Sequence, residues 1–225
     1  MESELPQGIA LYNSGKYQLA VEKLLDSGED PAENPVVSYY LGLSYTKLAK
    51  YDDALLYLEQ VVTSSNNVLH IYQCRMVLGF IYTVTERYEL AKFEFNELIK
   101  GGYESPQSYA ALGYIAYVQK EPEKSVEYFE KALDLDPENV NAQNSLGYTL
   151  ADMELQLAKA EKLCKQAVES QPKNPAYFDS LGWVLYRQGR YEEAKSLLRK
   201  AFDLAGNNKT IAGHLRTVIE SEKKQ

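Results

Sequence analysis

Hydrophobic residues recur along this chain at the spacing of short amphipathic helices, and the helices come in pairs. From Pro35 to Leu48 one face is apolar or aromatic, carrying Val37, Tyr40, Leu41, Leu43, Tyr45 and Leu48. After a short turn, the stretch from Asp52 to Val62 repeats the pattern with Ala54, Leu55, Leu58 and Val61. Because side chains three or four residues apart share one face of a helix, this spacing predicts two helices packed against each other.

A glycine recurs along the whole chain at an almost constant interval. The series is Gly8, Gly42, Gly79, Gly113, Gly147 and Gly182, with gaps of 34, 37, 34, 34 and 35 residues. A second small residue follows each glycine by 12 or 13 positions, namely Ala20, Ala54, Ala91, Ser125, Ala160 and Ala194. Small residues at a fixed period predict places where two helices approach closely. A period of this length is typical of a protein built by stacking one small unit.

The period divides the chain into six units and a C-terminal segment. We expect units at 1–34, 35–68, 69–105, 106–139, 140–174 and 175–206, followed by a capping helix and short tail over 207–225. The last helix has one apolar face, made of Ile211, Leu215, Val218 and Ile219. That face would cover the apolar end of the sixth unit, as the terminal element of a solenoid must.

Two irregularities interrupt the period. Three additional residues fall around Ser64–Asn67, where they would lengthen a loop or add most of a helical turn. One additional residue falls within Asp152–Gln156, where the other units turn tightly. Each irregularity either adjusts the stacking of the units or serves binding.

The repeated residues have a recognisable pattern. The fourth unit carries Tyr109, Leu112, Gly113, Phe129, Ala132 and Pro137, and the sixth carries Leu181, Gly182, Tyr191, Ala194, Leu198 and Ala201. They resemble the tetratricopeptide repeat, and the resemblance covers nearly all of residues 1–205. It implies an all-α, right-handed α-solenoid of six helix pairs. In this family the first helices line a concave groove that holds a peptide, a helix or another protein.

The resemblance also implies which side chains form the groove. They come from five first helices and are mostly aromatic or aliphatic: Tyr39, Leu43, Lys47, Met76, Phe80, Tyr114, Tyr117, Asn144, Tyr148, Trp183, Tyr186 and Arg187. Aromatic rings offer a large contact area at a small cost in conformational entropy. The expected ligand is therefore an extended or helical segment with apolar anchors. The alternative is that these aromatic residues serve only the packing of the repeats.

Composition and charge argue against several other classes of protein. The formal net charge is -8 with no cluster of Lys or Arg, which argues against a nucleic-acid partner. The two cysteines, Cys74 and Cys164, lie far apart within helical patterns and suggest no disulfide. The repeated glycines stand singly within helices, unlike a phosphate-binding loop, and His70 and His214 lie in distant units. We therefore expect no catalysis, no cofactor and no metal.

The sequence thus predicts a non-enzymatic adaptor that binds a protein or peptide partner. The alternative is a structural component of a larger assembly, membrane-associated or not, that uses the edges of the solenoid or self-association. The first residues are acidic and precede no apolar run, so we expect a cytoplasmic protein without direct membrane insertion. A leader or lipid anchor removed from the chain would instead place it in the periplasm or at a membrane. The partner and the oligomeric state stay open.

Overall fold

Thirteen α-helices account for nearly all of residues 4–222, the part of the chain that this computed structural model describes, and these residues contain no strand. In order they are α1 (Glu4–Asn13), α2 (Tyr17–Leu25), α3 (Pro35–Lys47), α4 (Tyr51–Ser64), α5 (Val68–Val84), α6 (Tyr88–Lys100), α7 (Pro106–Val118), α8 (Pro122–Leu135), α9 (Val140–Asp152), α10 (Leu157–Ser170), α11 (Pro175–Arg187), α12 (Tyr191–Ala205) and α13 (Lys209–Glu222). Helices α1 to α12 pack as six consecutive hairpins, and α13 follows as a single helix. The predicted all-α solenoid of helix pairs is confirmed.

Side-chain caps fix where the first helix of most hairpins begins. Asn34, Asn67, Ser105, Asn139 and Asn174 each accept a hydrogen bond from a backbone N–H two or three residues further on. Proline follows the cap directly in α3, α7 and α11. The capping side chain accepts a hydrogen bond from a first-turn N–H that has no partner within the helix. Proline has no backbone N–H, so it leaves none unpaired at the first helical position. Both residue types therefore favour the start of a helix here.

Within each hairpin the two helices meet at the recurring glycine. A Cβ atom on Gly42 would lie 2.7 Å from the side chain of Leu58, and one on Gly147 would lie 2.5 Å from the sulfur of Cys164. The residue that fills the space over the glycine comes from the second helix, 16 or 17 positions later. These residues are Leu24, Leu58, Phe95, Phe129, Cys164 and Leu198, and all are buried. The glycine period therefore marks the crossing points of six helix pairs.

Each hairpin turn contains a residue with positive φ. These residues are Gly15, Ala49, Glu86, Lys120, Glu154 and Gly189, with φ between 55 and 78°. In the fifth turn Gln156 also has a positive φ, of 44°, directly before α10. The additional residue predicted in this turn thus produces a second left-handed position.

The chain divides into two units, of which the first covers residues 1–104 and contains α1 to α6. Helix α5 has 17 residues, whereas α3 has 13. The difference lies before the glycine, because Val68 precedes Gly79 by 11 positions and Pro35 precedes Gly42 by seven. The longest interval in the glycine series therefore corresponds to one additional helical turn at the start of α5.

The second unit covers residues 105–225 and contains α7 to α13. Helix α13 packs against α12 and α11 and buries Ile211 and Val218. Lys195 on α12 forms an ion pair with Glu222 at the end of α13, with 2.7 Å between Nζ and Oε2. The capping helix expected from the sequence is thus present. Within residues 4–222, no helix combines the length and the hydropathy needed to cross a membrane.

We expect Gly147→Ala to destabilise the protein by about 1–3 kcal/mol, because the new methyl group would overlap the Cys164 sulfur and lie 3.0 Å from the backbone oxygen of Ala160. Gly213 on α13 is the matched control, since a methyl group added there would have no neighbouring atom within 4 Å. Gly213→Ala should leave stability unchanged or raise it by up to about 1 kcal/mol through helix propensity. Urea denaturation measures both changes, and equal midpoints for the two variants would contradict the crossing.

Glu161 joins α10 to the turn between α11 and α12. Its carboxylate accepts hydrogen bonds from Lys165 at 2.7 Å, Gln188 at 2.9 Å and Arg190 at 2.9 Å. The bonds from Lys165 first, and then from Gln188 and Arg190, lower the pKa of Glu161 from 4.5 to about 2. A carboxylate with a depressed pKa contributes stability above its unfolded pKa and loses it as the pH falls through the folded pKa.

We therefore expect Glu161→Gln to be less stable than the wild type at about pH 7, with the difference shrinking as the pH falls from about 5 to about 2. Urea denaturation over this pH range measures the difference between the two proteins. Glu169→Gln, an exposed change on the same helix, is the control and should track the wild type throughout. A Glu161→Gln deficit as large at about pH 2 as at about pH 7 would show that ionisation of this carboxyl group is not the cause.

Candidate functional site

In the first unit, two of the predicted groove residues are almost fully buried. Tyr39 and Leu43 on α3 are 7% and 4% exposed. The additional turn of α5 lies over Tyr39, because the ring of His70 stacks on it with 3.9 Å between centroids. The Tyr39 hydroxyl donates to Oε1 of Gln73 at 2.5 Å, and burial raises its pKa to about 12. Tyr39 and Leu43 therefore leave almost no surface for a partner, contrary to the prediction from the sequence.

The remaining predicted residues of the first unit are accessible. Lys47 is exposed, Met76 is partly exposed, and Phe80 is 48% exposed. Val84, one turn beyond Phe80 on α5, is 46% exposed. These side chains offer a modest apolar surface along α5.

In the second unit, four of the predicted residues belong to a continuous row of ring contacts. Tyr117 on α7 meets Tyr148 on α9 edge to face, with 5.7 Å between centroids. Trp183 and Tyr186 on α11 lie 5.0 Å apart. Between these pairs, the ring of His214 on α13 stacks on Trp183 at 4.4 Å and lies 6.0 Å from Tyr148. We call these five residues the aromatic row.

His214 was not among the residues predicted for the groove. Its Nδ1 donates to both carboxylate oxygens of Asp179 at 3.0 Å, and its Nε2 lies 3.4 Å from the Tyr148 hydroxyl. A signal was present in the sequence, since Asn144, Asp179 and His214 follow one another at intervals of 35 residues. Continuing the period into the capping helix places His214 in the groove register. Helix α13 therefore contributes to the site as well as covering the end of the array.

A pocket of about 160 Å³ opens beside the aromatic row, between α7, α8 and α9. Its lining consists of Tyr114, Tyr117, Phe129, Asn144, Ser145, Tyr148 and Thr149. Tyr114 stands at its mouth and is 48% exposed. A cavity of this size accommodates a single benzene-sized group. The pocket can therefore take one aromatic or branched aliphatic side chain.

Two buried polar atoms of the site have no hydrogen-bond partner among the residues that the structure describes. They are Oδ1 of Asn144, which lines the pocket, and Nε1 of Trp183 in the aromatic row. The first is an acceptor and the second is a donor. Leaving a buried polar atom unpaired costs about 1–3 kcal/mol, which a ligand with matching groups would recover.

The charged residues at the edge of the site are already engaged. Arg187 pairs with Glu154 at 2.6 Å and donates to the backbone oxygens of Ala151 and Asp152 at 3.3 Å. The Tyr117 hydroxyl donates to Oδ2 of Asp152 at 3.2 Å. Arg187 was predicted as a groove residue, and its contacts show it bracing the turn between α9 and α10 instead of offering a free positive charge.

Two tyrosine hydroxyls of the site, those of Tyr117 and Tyr148, have raised pKa values. Burial raises the pKa of Tyr117, and burial followed by the hydrogen bond with Tyr117 raises the pKa of Tyr148. Both phenols therefore stay neutral near physiological pH and keep their O–H groups. The site presents apolar rings and neutral hydrogen-bonding groups to a ligand.

Reactive groups are not concentrated in this site. Within residues 4–222, no group of three His, Cys, Asp or Glu side chains is arranged to hold a metal ion. Burial raises the pKa of both Cys74 and Cys164 to about 12. Because the thiolate is the nucleophilic form of cysteine, neither side chain is activated.

Comparison with known proteins agrees with this architecture. Residues 37–65, 106–139 and 175–208 match the family described as Tetratricopeptide repeat. A TPR repeat-containing protein of Pseudomonas aeruginosa is 40% identical over 80 residues, which are 36% of this chain and 13% of that protein. The Type IV pilus assembly protein PilF of Pseudomonas aeruginosa is 34% identical over 104 residues, 45% of this chain and 40% of PilF. The matched segments span less than half the length of either relative.

Solved structures share the fold at low sequence identity. The structure of Pseudomonas aeruginosa PilF superposes with a TM-score of 0.74 and 15% identity, covering 100% of this chain and 97% of that one. YrrB, a TPR protein with an unusual peptide-binding site, gives a TM-score of 0.61 and 21% identity, covering 82% of this chain and 93% of that one. The solved structures agree in fold, and the three matched repeat segments, with the hairpins and the glycine crossings described above, identify the chain as a tetratricopeptide repeat protein.

Proposed function

We propose that this protein is a non-catalytic interaction protein that holds a segment of a partner protein on the first helices of its second unit. Tetratricopeptide repeat proteins generally mediate protein–protein interactions, and YrrB has a peptide-binding site on the same fold. The proposed surface consists of the aromatic row and the adjoining pocket.

The pair of unsatisfied polar atoms carries this proposal. Asn144 Oδ1 accepts and Trp183 Nε1 donates, and the two residues lie on consecutive first helices, α9 and α11. Both atoms are buried in the free protein, so a peptide backbone pairs with them only once the side chains that cover them rotate aside. It then supplies the matching groups, an N–H for Asn144 and a C=O for Trp183. A helical segment satisfies its own backbone groups internally, so an extended segment fits this surface better.

The pocket supplies an anchor point for such a segment. Tyr114, Tyr117, Tyr148 and Phe129 surround a space that suits one apolar or aromatic side chain. Aromatic residues around a pocket are the usual sites of strong binding contributions in protein interfaces. We therefore expect the partner segment to be extended and to insert one large apolar side chain between α7 and α9.

Peptides selected against the wild-type protein from a phage-displayed library provide the test. We expect Tyr114→Ala to raise the Kd of a selected peptide by about 5- to 150-fold, corresponding to a loss of about 1–3 kcal/mol. Asn144→Leu should also weaken binding, because it removes the acceptor while keeping a side chain of similar size. Isothermal titration calorimetry measures both effects.

Tyr103→Ala is the matched control for Tyr114→Ala. Tyr103 is the same residue type with similar exposure, 42%, but lies after α6 in the first unit. Its substitution should leave peptide affinity unchanged. Equal affinities for wild type and Tyr114→Ala would exclude the pocket as the binding surface.

A second candidate function is supported by the likeness to PilF. PilF is a pilus assembly protein, and its fold superposes over the whole of this chain. On this basis the protein is a component of a larger assembly. Self-association would be the simplest form of such a role.

Light scattering coupled to size exclusion tests for self-association. If the assembly forms from copies of this chain, the mass should rise with protein concentration over about 1–100 μM, the range of weak to moderate affinities. A monomer mass independent of concentration would rule out self-association over this range.

A further inference from the structure

The second helices of the first unit expose large apolar side chains. Leu19 on α2 is 49% exposed, Leu56 on α4 is 64% exposed, and Leu90 and Phe93 on α6 are 47% and 54% exposed. All four lie away from the buried face that packs on the first helices. We call them the outer patch.

The fold does not require apolar residues at these positions. Two positions can be compared in every second helix. They are the residue immediately before the small residue at the helix crossing and the residue two positions after it. In the first unit they hold Leu19 and Glu22, Asp53 and Leu56, and Leu90 and Phe93. In the second unit they hold Lys124 and Glu127, Lys159 and Lys162, and Glu193 and Ser196. Equivalent helices are therefore stable with charged or hydroxyl side chains facing the solvent.

The same unit carries almost all of the net negative charge of the chain. Residues 1–104 contain 15 acidic and eight basic side chains, a formal net charge of -7. Residues 105–225 contain 17 acidic and 16 basic side chains, a net charge of -1. The apolar outer patch and the excess of acidic residues thus occur together in one half of the chain.

Acidic side chains flank the outer patch directly. Asp52 and Asp53 stand in the first turn of α4, one turn before Leu56, and the Asp52 side chain is 99% exposed. Asp52 lies 4.0 Å from Arg87, which precedes α6, so the Arg87 side chain reaches the start of α4. Glu22 follows Leu19 by one turn on α2 and is exposed. Lys92, next to Phe93, pairs with Glu89 at 2.7 Å, so side chains of both signs border the patch. Asp52, Asp53 and Glu22 add acidic groups to this border.

We propose that the outer patch docks a basic amphipathic helix of a partner protein. The apolar face of that helix packs on Leu56, Leu90 and Phe93, and its Lys or Arg residues approach Asp52, Asp53 and Glu22. Ridges of side chains on one helix fit the grooves between residues of another, which suits a surface made of α4 and α6. Opposite charges at the rim speed association and select the partner.

Charge decides against two other occupants of this surface. A second copy of the chain docked through the same face would bring two units of net charge -7 together. An anionic membrane surface attracts basic segments and repels acidic ones. The outer patch lies on the second helices of the first unit, so the proposal stands apart from the peptide site of the second unit.

The test uses a synthetic helix as probe. A Leu/Lys peptide of about 18 residues, five turns long, places leucines on one face and lysines on the other. We expect it to bind the wild-type protein, with an affinity that falls as salt increases. Leu56→Ser combined with Phe93→Ser should raise its Kd at least about tenfold. Fluorescence anisotropy of the labelled peptide measures the affinity.

Matched controls separate the patch from general attraction between charges. Leu135→Ser on α8 removes an apolar side chain that is 46% exposed but lies in the second unit, and it should not change the Kd. A Leu/Glu peptide of the same length should not bind. Tyr114→Ala should bind the Leu/Lys peptide normally, which distinguishes this surface from the proposed peptide site.

Several results would overturn the proposal. They are an absence of binding to the wild type, equal affinity for the Leu56→Ser/Phe93→Ser protein, and equal binding of the Leu/Glu peptide. A dimer abolished by the same double substitution in sedimentation would assign the patch to a second copy instead. Since both residues are exposed, circular dichroism and the denaturation midpoint should confirm that the double variant folds as the wild type does.

Discussion

The close approach of two helices at a residue without a side chain is the contact on which every hairpin depends. At each crossing a glycine of the first helix lets a Leu, Phe or Cys of the second helix lie against the backbone. That contact sets the distance between the two helices. The distance in turn determines which faces of these helices are left to pack against the neighbouring hairpins. The other regularities, such as the Asn and Ser caps and the left-handed turn residues, place the helices so that the crossing can form.

The architecture could be predicted because it depends on small residues at fixed intervals. A glycine at a helix crossing and a cap before a first turn are local requirements, and both leave a mark in the sequence. The interval between Gly42 and Gly79 marked the position of an irregularity without defining its form. Only the structure shows that the additional residues extend α5, because Asn67 begins that helix one turn earlier than its counterparts begin.

The site was harder to predict because exposure depends on neighbours beyond the unit that supplies a residue. Tyr39 occupies a groove position, yet His70 from the lengthened α5 covers it. Arg187 also holds a groove position, but the additional residue in the fifth turn brings Glu154 within 2.6 Å of it. His214 escaped the prediction because the apolar face of its helix indicated only a cap, although its register matched Asp179 and Asn144. The sequence repeat identifies the equivalent groove positions. The irregular units determine which of these positions are accessible to a ligand.

The stacking of His214 on Trp183 has a spectroscopic consequence. The chain contains a single tryptophan, and its ring lies between α13 and Tyr186 in the second unit. Tryptophan emission from this protein therefore reports the local environment where the last hairpin meets α13. Events confined to α1 to α6 change the far-ultraviolet circular dichroism and leave the emission unaltered. Trp183 is therefore an intrinsic fluorophore that reports on the second unit and not on the first.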